Sequence, residues 1–329
     1  MMRAVVVREF GPVGTARVEE TPRPVPGDGD VLIETAYAPV NFVDSLVLTG
    51  TYQFLPERPF IPGKGPTGTV VAVGKGVGRF APGDRVLAMV EQGGYAEAVV
   101  APEDQCYLLP PAMSFESAAT VSLAYDTAWF ALMVRARLKP ADKVLVLGAT
   151  GAVGAAAVQL AKAKGCFVIA AVSGSAKVRS MLDIGADATV DISVPDVRDR
   201  LRADVHALTG GAGADVVIDP LGGPYFEAAL RAMAWEGRLV VVGFAGGGIP
   251  TVKANYLLLK NIEVSGLQIS DYRKRRPEQV RACFEDVFSL FEQGLLKPTR
   301  LEIHPLEDYS RAMAALLERR ATGRTVLKP

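Results

Sequence analysis

Residues Val144–Gly154 read VLVLGATGAVG. Four apolar residues run directly into three glycines spaced three apart, Gly148, Gly151 and Gly154. The β-branched and leucine residues ahead of the glycines suit a strand, and the alanine-rich run Ala155–Ala163 behind them suits a helix. In that context the glycines form a phosphate cradle. Gly148 permits the tight turn, Gly151 lets backbone amides approach a pyrophosphate, and Gly154 lets the helix lie close on the strand. Thr150, Ala152 and Val153 fill the remaining places around the phosphates. The helix N-terminus adds unpaired N–H groups and the positive end of its dipole. The span Val144–Ala161 carries no charge and approaches the length of a membrane helix. Its glycines, Thr150 and Gln159, and its change from β-branched to alanine-rich, fit a strand, a turn and a buried helix better.

Downstream, strands and helices alternate. CFVIAAVS, ATVDI, ADVVIDPLGG, GRLVVVGFAGG and IEVSGLQ read as strands, with SAKVRSMLDIGA, VRDRLRADVHALTG and PYFEAALRAMA as helices between them. Near-continuous Val and Ile runs suit strands buried on both faces, so a doubly wound parallel α/β sheet is expected. A dinucleotide with a free ribose 2′-hydroxyl meets an acid at the end of the second strand. Here AAVSGSAKVR has none. Hydroxyls and cations suit a 2′-phosphate, so the expected cofactor is NADPH, held there by Ser173 and Lys177. Arg179 reads as a solvated helix-face charge.

Upstream, short runs such as VLIETAY, GTVVAVG, DRVLAMV and YAEAVVA are separated by PGDGD, FIPGKGP and APGD. Residues 1–122 therefore read as a β-rich, barrel-like domain and residues 123–270 as the nucleotide domain, opened by the helix AYDTAWFALMVRA. In the tail, PEQVRACFEDVFSLFEQGLL is an amphipathic helix with Val280, Phe284, Val287 and Leu290 on one face and Gly294 beyond. A strand, a helix and a last strand follow, and residues 271–329 are assigned to the first domain. The charged run YRKRRPE, Tyr272–Glu278, reads as a solvated loop.

Bulk properties narrow the function. Among 329 residues, 36 basic and 36 acidic side chains cancel, which argues against nucleic acid or an anionic membrane surface as partner. The three cysteines, Cys106, Cys166 and Cys283, are far apart, and a reducing cytoplasm is the simpler expectation. His206 and His304 are far from each other and from the cysteines, so no zinc-ligand spacing exists. The N-terminal MMRAVVVREFG begins with a strand-like run and shows no signal-peptide pattern.

Taken together, GTVVAVGKGVGRFAPGDRV, GGYAEAVV, TAWFAL, VLVLGATGAVGAAAVQLAK, GADVVIDPLGG and GRLVVVGFAGG resemble the medium-chain dehydrogenase/reductase superfamily. The resemblance covers essentially the whole chain and is strongest to the zinc-free quinone oxidoreductase, or zeta-crystallin-like, branch. It implies a GroES-like β-barrel domain beside a Rossmann domain, an active site in the cleft between them, and a homodimer paired through the IEVSG edge strand. It places Asn41 near the nicotinamide ribose, with Asp44 and Tyr52 lining the cleft. Tyr52 is then the candidate proton or hydrogen-bond donor, unless it only forms a wall, and Asp44 reads rather as a cap or brace for the segment that follows. On the cofactor side the resemblance points to Thr127, Gly243, Phe244, Ala245 and Leu267 at the nicotinamide end and to Arg320 near the 2′-phosphate.

The departures are as informative. The positions of the catalytic zinc ligands in related alcohol dehydrogenases are held by Asn41, Lys64 and Leu123, which make no zinc site. Lys64 puts a cation near the expected pocket, and Tyr125 and Asp126 narrow it and add a polar group. Ile192 replaces a tyrosine that often helps hold the 2′-phosphate. The expected activity is metal-independent hydride delivery from NADPH to a quinone, a small conjugated acceptor that needs little activation. Reduction of enones or enoyl thioesters, and NADPH binding without turnover, remain the alternatives.

Overall fold

The computed structural model describes residues 1–297, 300–318, 320 and 323–329, and the chain divides into two units. The first comprises residues 1–123, 273–284 and 298–329, and the second residues 124–272 and 285–297.

The first unit opens with the antiparallel pair β1 (Met2–Val6) and β2 (Arg17–Thr21). The long strand β3 (Asp30–Pro39) leads into a short helix, α1 (Phe42–Leu48). β4 (Thr67–Val73), β5 (Arg85–Ala88), β6 (Ala98–Pro102) and β7 (Cys106–Leu108) follow. β3 is the hub, pairing antiparallel with both β4 and β6. Val31, Ile33, Val70, Val86 and Ala101 of these strands are inaccessible and form one core under the sheet. Helix α2 (Phe115–Trp129) kinks at Ser122, where the backbone leaves helical geometry, and continues as a π-helical stretch over residues 130–135.

The second unit is a parallel sheet with helical crossovers. Its elements are β8 (Lys143–Val146), α3 (Ala152–Ala163), β9 (Phe167–Val172), α4 (Val178–Asp183) and β10 (Ala188–Asp191). Then come α5 (Val197–Leu208), β11 (Ala214–Asp219), α6 (Gly223–Ala232), β12 (Met233–Val241), α7 (Ala254–Lys260) and β13 (Glu263–Gly266). The strand order is β10-β9-β8-β11-β12-β13, all parallel. Counted from β8 this is 3-2-1-4-5-6, the order in which the winding reverses between the first and fourth strands and opens a ligand crevice at their carboxyl ends. Val144–Val146 and Val216–Ile218, the two strands flanking the reversal, are completely buried at every residue. Continuous burial explains why they carry unbroken apolar runs rather than alternation.

The tail is α8 (Ile269–Arg275), α9 (Pro277–Glu292), β14 (Leu301–Pro305), α10 (Tyr309–Leu317) and β15 (Arg324–Lys328). β15 pairs parallel with β14 and antiparallel with β3, joining the first unit's sheet. The assignment of the whole tail to that unit needs a correction, because residues 285–297 group with the second. Asp286 accepts hydrogen bonds from Trp129 Nε1 (2.7 Å) and Lys164 Nζ (2.8 Å), and Lys297 N donates to Gln159 Oε1 (2.5 Å). The run YRKRRPE is not a solvated loop either. It finishes α8 and begins α9, and Arg273 within it is buried.

Candidate active site

In the second unit the glycine turn lies at the reversal point. Helix α3 starts at Ala152, three residues earlier than the alanine run suggests, with Gly151 as its N-cap and no side chain capping it. The first intrahelical donor is Ala155 N, to Gly151 O (2.8 Å), so the amides of Ala152, Val153 and Gly154 precede the helical ladder. Thr150 and Gly151 are exposed. A Cβ on Gly154 would lie 2.4 Å from Gly148 O and 2.7 Å from Ala149 Cα, so only glycine lets the helix sit so close to the strand end. Gly148 has φ +54°, and a Cβ there would meet Leu221 Cδ2 at 2.9 Å. A Cβ on Gly151 would meet nothing nearer than 3.3 Å. That contact, with the backbone carbonyl of Gly148, is tight but milder than the collision at Gly154.

The loops after β11 and β12 interlock beside this turn. Asp219 Oδ1 accepts the amides of Leu221 (2.8 Å) and Gly222 (2.9 Å). The carbonyls of Asp219, Pro220 and Leu221 accept the amides of Val242, Ala245 and Gly246 at 2.8–3.1 Å. Gly243, Phe244 and Ala245 are thus fixed by backbone bonds, with the Phe244 ring 44% exposed. Leu267 N donates to Val241 O (3.0 Å). Asp219 itself is inaccessible, and burial raises its pKa above the ordinary value against the pull of the two amides.

At the end of β9, Ser173 is exposed and receives a hydrogen bond from Lys177 Nζ (3.2 Å). Arg179 is tied to Asp183 in an exposed i,i+4 pair. Asp191 Oδ1 accepts Gly174 N at 3.3 Å, and its bonds to Ser193 hold its pKa below the ordinary value. Ile192 is buried. Arg320 is exposed, belongs to the first unit and pairs with Glu318.

Tyr125, Asp126 and Thr127 are all buried. The Tyr125 hydroxyl accepts a bond from Gln159 Nε2 of α3 (2.9 Å), and Thr127 Oγ1 lies 3.3 Å from Asp126 Oδ1. Tyr125 therefore ties α2 to α3.

The first unit gathers Asn41, Asp44, Tyr52 and Lys64. Asn41 is the N-cap of α1 and Asp44 its third residue. Asp44 Oδ2 accepts Asn41 N (3.0 Å), Asn41 Nδ2 (3.2 Å) and the hydroxyl of Tyr95 (2.8 Å). Asn41 Oδ1 accepts from Arg324 Nη2 (3.1 Å). Asp44 is 1% exposed and braces α1, the expected alternative to lining the cleft. Burial pushes its carboxyl up to about 6, opposed by Lys64, Tyr95 and Asn41. The same burial, with Asp44 beside it, carries the Tyr95 phenol well above its ordinary value. Tyr52 is half-buried, with its amide on Leu46 O (3.1 Å) and its ring against Phe54.

Lys64 is 4% exposed, with its ammonium turned inward to Glu91. Its Nζ donates to Glu91 O (2.9 Å) and to the Glu91 carboxylate, and lies 5.9 Å from the Tyr52 ring centre. Glu91 also takes Arg273 Nη1 at 3.1 Å, so one carboxylate serves two buried cations. Among the described residues no group of three or more His, Cys, Asp or Glu side chains could hold a metal ion. Burial pushes the Cys106 and Cys166 thiols up to about 12 and about 11.

Comparison with known proteins decides the family. Residues 27–111 match the alcohol dehydrogenase GroES-like domain, and residues 152–286 match the zinc-binding dehydrogenase domain. A quinone oxidoreductase-like protein 2 homolog of Nematostella vectensis is 37% identical, over 92% of this chain and 82% of that protein. The chain is a medium-chain dehydrogenase/reductase of the quinone oxidoreductase branch. A mycobacterial protein solved with NADPH superposes over the full length of both chains, with TM-score 0.92 and 32% identity. Escherichia coli quinone oxidoreductase, also solved with NADPH, gives TM-score 0.90 and 28% identity over 99% of this chain and 100% of that one. The first unit is accordingly the GroES-like domain of this fold, and the parallel sheet is its Rossmann domain.

Reasoning from the sequence missed Tyr95, Glu91, Arg273, Asp191 and Asp219. Asp219 left a signal, an acid at the end of the strand ADVVID ahead of a glycine pair. Glu91 and Arg273 left none, being 182 residues apart.

Proposed function

We propose that this reductase binds NADPH and reduces quinones, or acceptors with the same conjugated carbonyl, without a metal ion. The observation that carries the reading is the uncapped glycine turn at the reversal of the sheet, with the Ser173–Lys177 pair and no acid in the run of sequence that follows β9; Asp191, which reaches Gly174 from β10, is held by Ser193. That donor set fits a dinucleotide with a 2′-phosphate: backbone amides for the pyrophosphate, a hydroxyl and an ammonium for the extra phosphate. The relatives solved with NADPH support it.

NADPH, when bound, supplies the hydride. The protein's task is then orientation and proton delivery. In this reading the amides of Ala152–Gly154 hold the pyrophosphate, and the interlocked Gly243–Ala245 loop gives the nicotinamide end a rigid wall. On the first unit Asn41, locked by Arg324 and Asp44, presents a fixed amide. The Tyr52 hydroxyl donates a hydrogen bond or proton to the acceptor oxygen. Lys64, anchored by Glu91 behind the Tyr52 ring, supplies positive potential where that oxygen gains charge. A quinone gains the hydride and one proton, which together make the quinol, and NADP⁺ is left behind. Asn41, Lys64 and Leu123 offer no zinc donor set, which supports the metal-independent reading.

A homodimer is part of the proposal. β13 has β12 on one side as its strand partner among the described residues, and Ile249, Leu258 and Leu259 nearby are 68–80% exposed. We also place the protein in the cytoplasm. None of its described helices is long and apolar enough to cross a membrane, and all three cysteines are buried thiols.

NADPH oxidation against quinones, simple enones and enoyl thioesters, with NADH and chelator arms, tests the reading. Quinone turnover with NADPH, unaffected by chelator, is expected. Preference for enoyl thioesters would move the substrate class. Tight NADPH binding without turnover would replace the enzyme by a binding protein.

A further inference from the structure

A second cationic site lies on the Rossmann unit, lined by none of the residues assigned above to the cofactor. The side chains of Arg198 at the start of α5, Leu230 and Arg231 at the end of α6, and Lys253 and Tyr256 around α7 enclose a cavity of about 60 Å³. Arg198, Arg231 and Lys253 face it, with Glu227 as the one carboxylate in its wall. Space for one tetrahedral oxyanion, or for a few waters, is what such a volume offers.

The cations are poorly balanced. Arg231 Nη2 is held by Asp199 (2.8 Å), but Arg231 Nε is buried with no hydrogen-bond partner. A buried guanidinium N–H left unmade is costly, and a native protein normally satisfies it. Arg198 and Arg231 both bond the Tyr256 hydroxyl and pull its pKa below the ordinary phenol value, as they would for any anionic oxygen placed there. Behind them, Lys260 Nζ donates to the carbonyls of Arg231 (2.8 Å) and Met233 (2.9 Å). Its pKa is lowered by burial and by repulsion from Arg202 and Arg231. The field in this corner of the unit is therefore positive from several directions.

We propose that this cavity binds a phosphate-type oxyanion, either inorganic phosphate or the phosphate group of a small metabolite. Arg198 and Arg231 supply forked donors, Lys253 a point charge, and Tyr256 and Thr251 hydroxyls at the wall. The ligand bridges Arg198 of α5, Arg231 of α6 and Lys253 at the start of α7. The site does not depend on the proposed reductase activity.

Calorimetric titration with inorganic phosphate at constant ionic strength tests it. The protein saturated with NADP⁺ is the host, so that the glycine turn and the end of β9 are already filled and do not contribute. One saturable site is expected. Arg198→Met and Lys253→Met, which replace exposed side chains and leave the Arg231–Asp199 pair intact, should each weaken binding about tenfold. Glycerol phosphate binding more tightly than inorganic phosphate would identify a metabolite's phosphate as the ligand, and the reverse would identify the free ion. A response that never saturates, or a saturable site that both variants leave unchanged, overturns the proposal.

Discussion

The glycine turn of the Rossmann unit and the Asn41–Asp44 region of the GroES-like unit prepare for a ligand in opposite ways. The turn works almost without side chains. Its donors are backbone amides at an uncapped helix end, and its shape comes from what Gly148 and Gly154 lack. The Asn41 region is built of side chains, with Asp44, Lys64 and Tyr95 buried and Asn41 held at both ends of its amide. A backbone device is rigid because it is local. A side-chain device is rigid only while each buried polar partner is present.

Six substitutions would break or sharpen this contrast. The largest effect is expected at Gly154→Val, whose Cβ collides with the backbone of the turn. It should lower thermal stability and abolish NADPH binding together, whereas Gly151→Ala should weaken binding in a fluorescence titration with little change in melting temperature. Next is Glu91→Ala, which leaves Lys64 and Arg273 buried without their shared carboxylate and should cost about 3 kcal/mol in urea unfolding. Asp44→Ala should cost about 2 kcal/mol, because Tyr95 loses its acceptor inside the core.

Asp44 also gives the comparison a pH axis. Its folded carboxyl titrates near 6 against an ordinary 3.8, so folding binds the proton more tightly. The associated stability is fully present below about pH 4 and is lost as pH rises through 6, a change of about 3 kcal/mol. Melting curves from pH 4 to 7 should therefore favour Asp44→Asn over the parent increasingly as pH rises. A constant difference would place the carboxyl's titration elsewhere. The smallest effect is at Lys177→Gln: NADPH affinity should fall about tenfold while NADH affinity is unchanged. Equal losses for both would remove Ser173 and Lys177 from the 2′-phosphate site.

The same contrast explains what could be read from the sequence. The turn and the parallel strands are legible because their signals lie within a few residues: glycines at fixed spacing, and apolar runs made continuous by two-sided burial. Lys64 shows the opposite case. Its presence was visible, but its direction was decided by Glu91, 27 residues away. A run of charges such as YRKRRPE reads as solvated when nothing nearby pairs with it, yet Arg273 finds that same Glu91 across 182 residues. The division of α9 is set by Asp286, whose partners Trp129 and Lys164 lie 157 and 122 residues back. Tyr125 was recognised as unusual, but its bond to Gln159 depends on how α2 and α3 cross.

The bond from Arg324 to Asn41 joins residues 283 positions apart, and β15, which carries Arg324, covers the edge of β3. On the ribosome β3 emerges long before that partner. The parallel sheet is complete by residue 266, while β3 still has an open edge. Domains fold as units during synthesis. The strands of the parallel sheet are thus all present while the surface around Asn41 still lacks Arg324, which arrives only with β15.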